Sequence, residues 1–200
     1  MIAITVSRQL GSGGATVARL VAGELGFRVL DRELVDAVAA RAGVSPETAQ
    51  ALDEQAYGWA SGLIHSFLLA LRGQQFDQES YHYIADRLIR EAAGRENLVI
   101  LGRAGQVVLG FRPGTFHVHV VAPIEDRVAR VAARDRIGVE EARAKIADSD
   151  EARRRYVYAA GQRDWSDPVL YDLVLNTHRL APEVAAALVV NAARQAGVVR

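Results

Sequence analysis

Apolar residues in this chain come in two rhythms. Ile2-Ala3-Ile4-Thr5-Val6, Leu98-Val99-Ile100-Leu101 and Thr115 to Val121 are short, β-branched runs that read as buried strands. Arg28-Val29-Leu30, ending at Asp31, and Leu173-Val174-Leu175 read as two shorter strands. Between the strands the period lengthens. Val17, Leu20, Val21 and Leu25 recur at helical spacing, with Arg19 and Glu24 on the other face. Further helices are expected from Glu33 to near Gly43, and from Pro46 onward with Ser45 as N-cap and Pro at the first helical position. Two or three helices then carry the chain to about Arg95 without a convincing strand. Others run from Glu125 to about Arg136, from Val139 to about Ala160 with breaks, and from Pro182 to Gln195. Strands alternating with helices predict an α/β domain whose parallel sheet is covered on both faces. Ligands of such sheets bind beyond the carboxyl ends of the strands.

The first strand leads into Ser7-Arg8-Gln9-Leu10-Gly11-Ser12-Gly13-Gly14-Ala15-Thr16, which then opens the first helix. Strand, glycine loop, helix is the geometry of a phosphate cradle. Glycines let the backbone approach an anion, and the first N–H groups of the helix favour negative charge. Gly11, Ser12, Gly13, Gly14, Ala15 and Thr16 are the expected phosphate-binding residues. The loop departs from the P-loop pattern G-x-x-x-x-G-K-S/T. With Gly13 as its last glycine, Gly14 and Ala15 stand at the lysine and hydroxyl positions, and Arg8 holds the opening glycine position.

Composition narrows the class. Two hundred residues, half of them hydrophobic, suit one well-buried domain over 1–200. No apolar stretch is long enough to span a bilayer, and the N-terminus is a strand rather than a signal peptide. The absence of cysteine excludes disulfides and thiolate metal sites, so a cytoplasmic enzyme is the expectation. Zero net charge argues against nucleic-acid binding as the main task. Of the 24 Lys plus Arg, only Lys145 is a lysine, so any cation standing in for the absent loop lysine is expected to be an arginine.

The other strand ends carry an acid, an arginine and an amide at Asp31, Gly102-Arg103 and Asn176. Arg103 is expected to recognise a phosphate or base. Asp31 either holds a metal-bound water, accepts a hydroxyl proton, or caps the helix after it. Between Arg127 and Arg163 lie ten basic and six acidic residues. This run reads either as a solvated, salt-bridged face or as a closing lid that brings Arg153 and Arg155 to a transferring phosphoryl. Arg8 either reaches over the loop toward the β- and γ-phosphates or forms a structural ion pair, for which Asp31 is a partner. His117 and His119 share a strand face and read as packed histidines, since no third metal ligand accompanies them. Aromatic residues between Tyr57 and Tyr83 read as helix core or as a homodimer face, with base stacking as the third alternative.

The ordered set resembles the P-loop nucleoside monophosphate kinases, and within them the cytidylate kinase-like family, over nearly the full chain. The likeness rests on Ile4-Thr5-Val6-Ser7-Arg8-Gln9 with Gly11-Ser12-Gly13-Gly14, on Leu25-Gly26-Phe27 leading to Leu30-Asp31, and on Gly102-Arg103. Ala122-Pro123 with Arg127 and Arg130 continues it, as do Asp150, Arg153, Arg155 and Tyr156 followed by Trp165, and Tyr171-Asp172-Leu173 through Asn176. The resemblance implies a three-layer α/β/α P-loop kinase-like fold with a five-stranded parallel sheet in the order 2-3-1-4-5. It also implies a helical acceptor-binding insertion over about 32–95 and a lid over about 130–160. By the same resemblance, ATP with Mg²⁺ is the phosphoryl donor and CMP or dCMP the acceptor. Arg103 and Asp31 fall on the acceptor side, and Thr16, one place late, is the expected Mg²⁺ ligand. Two alternatives stand beside this reading: a nucleotide-binding regulatory module that has lost transfer, and a kinase of a different small acceptor.

Overall fold

The computed structural model of the protein describes residues 1–56 and 77–200. Tyr57, Trp59, Phe67 and Phe76, the larger part of the expected aromatic face, lie outside the described residues.

Five parallel strands form one sheet in the order β2-β3-β1-β4-β5: β1 (Ala3–Arg8), β2 (Arg28–Leu30), β3 (Leu98–Leu101), β4 (Thr115–Val121) and β5 (Leu173–Asn176). Ala3 pairs with Leu98 on one side and Thr115 on the other. The expected order is therefore the observed one. Because the chain turns to opposite sides of β1, the carboxyl end of β1 is the switch point where a crevice opens.

Alternate residues of the strands feed two apolar layers. Ile4, Val6, Val99, Leu101, Val118 and Val120 pack against α1 (Gly14–Leu25) and the last helix, α8 (Pro182–Gln195). Ala3, Leu98 and Ile100 face the opposite layer, built from α2 (Glu33–Ala42), α3 (Pro46–Ala56), α4 (Gln78–Arg95) and α5 (Gly105–Leu109) with part of α7 (Val139–Gly161). A third, smaller cluster joins the glycine loop to the rest: Leu10 sits among Val128 and Val131 of α6 (Ile124–Asp135) and Ala142 and Ile146 of α7.

Three elements differ from the sequence expectation. β1 runs two residues further than its apolar run, because Ser7 and Arg8 pair in register with His119 and Val120. α7 is continuous, since Asp148-Ser149-Asp150 is polar without being a helix breaker and no proline interrupts it. α5 is a five-residue helix that the short span between β3 and β4 concealed. At α3 the expected cap is present, with Ser45 Oγ accepting from the Thr48 N–H at 3.2 Å. At α2 the flanking residue is Arg32 with no side-chain cap, so Asp31 is not used in that way. Among the described residues, no helix is long and apolar enough to cross a membrane.

Candidate phosphate loop and acceptor cleft

The carbonyls of the glycine loop are held, one by the loop itself and three from outside. Gln9 O accepts from Ser12 N at 3.2 Å and Ser12 Oγ at 2.8 Å. Arg127 Nη1 reaches Leu10 O at 3.5 Å, Arg130 Nη1 donates to Gly11 O at 3.3 Å, and Thr177 Oγ1 donates to Ser12 O at 2.7 Å. Gln9 is itself fixed to β4, its N–H on Val120 O and its Oε1 accepting from Ala122 N. One loop N–H, that of Leu10, is satisfied by Asp150 Oδ1 at 2.9 Å.

The N–H groups of Gly11, Gly13, Gly14 and Ala15 find no acceptor among the described residues. Carbonyls pinned outward and amides left free make an anion nest, to which the start of α1 adds its dipole. Gly11 and Gly13 take φ of 81° and 82°, the left-handed region that L side chains resist. At Gly11 a Cβ would also strike Arg127 O at 2.8 Å. Among the described residues nothing lies within 4 Å of a Cβ at Gly13.

Beside the loop lies a cleft of about 400 Å³ lined by Arg8, Ala15, Asp31, Asp36, Asp53 and Arg103, among others. The sequence-predicted residues Arg8, Asp31 and Arg103 therefore meet in one cavity. Arg103 is 6 % exposed and forms a buried ion pair with Asp53 of α3. Tyr81 of α4 completes a triangle, its hydroxyl donating to Asp53 Oδ1 at 2.7 Å and accepting from Arg103 Nη1 at 3.3 Å. The backbone is bent to make this possible. Gly102, Arg103 and Ala104 have φ of 75°, 56° and 48° in succession. For Arg103 and Ala104 that geometry costs about 1–3 kcal/mol each, strain of the kind found at ligand sites. Burial, helped by the Arg8 charge and opposed by Tyr156 and Asp31, draws the Arg103 pKa down to about 10.

The predicted lid divides in two. Arg134, Arg143, Lys145 and Arg154 pair with Asp135, Glu125, Asp135 and Glu151 on the surface, which is the solvated-face reading. Arg127 and Arg153 instead turn inward and share Asp150 at 2.5 and 3.3 Å. Arg153 lines a narrow side pocket with Arg8 and Arg103, whereas Arg155 is exposed on another side of α7. The structure thus brings Arg8 and Arg153 together and leaves Arg155 apart.

Ala15 faces the cleft, while Thr16 is exposed with its Oγ1 3.5 Å from Arg19 Nη2. The loop position that presents a hydroxyl to Mg²⁺ in the P-loop pattern is therefore apolar here. Asp31 is the predicted carboxylate among the residues that line the cleft. No group of three metal-ligating side chains occurs among the described residues.

The strand histidines are packed. His117 Nε2 faces Gly110 O at 3.0 Å and its Nδ1 lies 2.8 Å from Thr5 Oγ1. Since the carbonyl only accepts, the neutral ring carries its proton on Nε2 and takes the Thr5 hydroxyl on Nδ1. His119 stacks on Tyr171 at 4.7 Å and meets the edge of Trp165 at 5.3 Å. Trp165 Nε1 donates to Ser7 Oγ at 2.7 Å, which fixes the strand end just before Arg8.

Sequence reasoning did not single out Asp53, Tyr81 and Thr177. Asp53 left a signal, as an acid beside Leu52 and Ala49 on a helix stripe that is otherwise apolar. Tyr81 reads only as one of the aromatic residues between Tyr57 and Tyr83, and Thr177 left no signal.

Comparison with known proteins agrees with this geometry. Residues 3–179 match the model of the cytidylate kinase-like family. A cytidylate kinase from Pyrococcus horikoshii is 34 % identical over 191 residues, covering 94 % of this chain and 86 % of that protein. One from Ignicoccus hospitalis is 31 % identical over 187 residues, covering 92 % and 94 %. Among solved structures, an uncharacterized protein from Eubacterium ventriosum superposes with a TM-score of 0.72 at 19 % identity, covering 96 % of this chain and 97 % of that one. Shikimate kinase from Acinetobacter baumannii, in complex with shikimate, gives 0.56 at 17 % identity, covering 98 % and 94 %. At such identities the structural likeness speaks to the fold, which is that of P-loop kinases.

Proposed function

This chain belongs to the cytidylate kinase-like family, and from that premise we propose that it transfers the γ-phosphoryl group of ATP to a nucleoside monophosphate. CMP or dCMP is the acceptor by analogy. An oxygen of the acceptor phosphate attacks the γ-phosphorus, the bond to the β–γ bridging oxygen breaks, and ADP leaves; no covalent enzyme intermediate is needed. The observation that carries this reading is the continuity of two sites. The loop whose Gly11, Gly13, Gly14 and Ala15 amides find no acceptor among the described residues borders, through Ala15, a cleft of about 400 Å³ that Arg8 and Arg103 also line. That volume is in the range of small-molecule sites, roughly 300–1,000 Å³.

The chain's own contribution is placement and charge. The amides hold the donor polyphosphate, Arg8 stands where donor and acceptor phosphates meet, and Arg103 stands at the acceptor end. Mg²⁺ on the ATP would neutralise charge on the β- and γ-phosphates, with Asp31 as the residue that holds it through water. ATP as donor and the absence of cysteine fit a cytoplasmic site of action.

The test is ADP formation by the purified protein with ATP and Mg²⁺ across all nucleoside monophosphates. Saturable turnover with CMP or dCMP is expected. One observation favours a second reading, a regulatory module that binds nucleotide without transferring phosphate: Gly14 and Ala15 remove both side chains with which the P-loop pattern acts on the γ-phosphate and its metal. Nucleotide binding without turnover of any acceptor would select it. Turnover only with an acceptor that is not a nucleotide would leave a kinase with a different substrate.

A further inference from the structure

The P-loop pattern opens with a glycine at the strand end and closes with a lysine at the helix start. This chain has Arg8 at the first position and Gly14 at the second. In the fold these two positions touch. A Cβ placed on Gly14 would stand 2.5 Å from Arg8 Cβ, and 3.2 Å from both Arg8 Cγ and Val120 Cβ. Carbon atoms in good contact lie about 3.5–4.0 Å apart, so the stem of Arg8 fills the volume from which a side chain at 14 would start. Neither residue can step aside. Arg8 is in ladder register with Val120, and Gly14 is the first residue of α1. A side chain at either position excludes one at the other.

We infer that Arg8 and Gly14 are a reciprocal exchange of the motif's glycine and lysine, in which the cation that serves the bound polyphosphate is carried by the strand end instead of the helix start. The inference rests on the phosphoryl-transfer reading and deepens it. Arg8 lines both the cleft that Ala15 of the loop borders and the side pocket beside Arg153, and Arg103 lines both with it. Its charge is felt by Arg103, whose pKa it lowers. A lysine on the helix would supply a single point charge. A guanidinium entering from the strand has a fixed charge and a planar fork that spans two phosphate oxygens.

The experiment compares the wild type with Arg8→Gly, Arg8→Met, Gly14→Lys and the double exchange Arg8→Gly/Gly14→Lys. Two quantities are read on each: the thermal midpoint without ligand, and the affinity for inorganic tripolyphosphate and for ATP with Mg²⁺ by calorimetry. Gly14→Lys alone is expected to lower the midpoint, and adding Arg8→Gly to restore most of it. Arg8→Gly is expected to weaken tripolyphosphate binding by about tenfold or more, the worth of a charge-assisted hydrogen bond, and the double exchange to recover it. Arg8→Met keeps the stem and removes the charge, so it should be as weak a binder as Arg8→Gly.

Three results would overturn the exchange: Gly14→Lys as stable as the wild type, Arg8→Met binding tripolyphosphate like the wild type, or a double exchange that binds no better than Arg8→Gly. The stability coupling needs no ligand, and tripolyphosphate needs no acceptor. A protein that binds tripolyphosphate through Arg8 and phosphorylates nothing would end the kinase reading and leave the exchange standing. Phosphorylation of CMP undiminished in Arg8→Met would end the exchange and leave the kinase.

Discussion

Asp150 is the residue whose removal should cost the loop most. Its carboxylate takes the Leu10 N–H at 2.9 Å and Arg153 Nη1 at 3.3 Å on Oδ1, and Arg127 Nη1 at 2.5 Å on Oδ2. Both guanidiniums are less than a tenth exposed. Asp150→Asn keeps one acceptor oxygen but withdraws the negative charge from two buried cations and points an NH₂ group at donors. Removing one partner of a buried pair costs about 3–5 kcal/mol, because the stranded charge has no solvent to replace it. For a chain of this length each kcal/mol moves the melting temperature by about 2–4 °C, so a fall of roughly 6–20 °C is expected. Differential scanning calorimetry measures it, with Glu151→Ala as control. Glu151 pairs with Arg154 at the surface, both about half exposed, and such pairs contribute about 0–1 kcal/mol. The loop should loosen together with the fold, so ATP affinity measured well below the melting temperature should also fall. A melting temperature for Asp150→Asn indistinguishable from that of the Glu151→Ala control would refute the argument that this carboxylate ties α6 and α7 to the loop.

Three other outcomes can be measured. Gly13→Val should abolish nucleotide binding in a folded protein, since it places a branched side chain on left-handed backbone in the space beside the inward amides; undiminished affinity would remove Gly11–Gly14 from phosphate binding. Arg103→Ala should weaken acceptor binding by roughly 1.5–3 kcal/mol while changing ATP affinity little, and should also lower the melting temperature because Asp53 is left buried without its partner; equal loss of ATP and acceptor would place Arg103 elsewhere in the mechanism. His119 has its pKa pushed down to about 4 by burial, with Asp150 and the Ser7 backbone acting against the shift. The folded state therefore binds fewer protons than the unfolded one between pH 4 and the usual 6.5, stability is complete above that window, and about 3 kcal/mol is lost as pH falls through it. His119→Phe keeps a ring on Tyr171 and removes the titration. Its denaturation midpoint should fall less between pH 7 and pH 4 than that of the wild type, and parallel profiles would show that His119 does not set the slope.

What the sequence made legible follows the range of the interactions involved. The strands could be read because a strand buried on both faces needs apolar residues at consecutive positions, and α1 because one face of a surface helix must be apolar. Nested amides could be read as well, since Gly11 and Gly13 permit the left-handed backbone that brings amides toward an anion. The triangle of Asp53, Tyr81 and Arg103 could not. Its members lie on α3, on α4 and beyond β3, and the bend that turns Arg103 toward them puts positive φ on Arg103 and Ala104, residue types that do not announce it. Asp150 and Leu10 are 140 residues apart and meet because α7 continues unbroken where breaks are expected.

Arg8 and Gly14 show the same limit within a single loop. Along the chain they are two separate departures from the phosphate-loop pattern, each of which by itself suggests lost function. In space the second is the condition for the first: an arginine stem at the end of β1 leaves room only for glycine at the start of α1. A lysine lost by drift would leave the opening glycine free to stay. The departure found here fills that glycine position with an arginine that lines the cleft, its Cβ 2.5 Å from where a replacement Cβ at position 14 would stand. That coupling separates a relocated charge from a decayed site, and the stability of Gly14→Lys with and without Arg8 measures it directly.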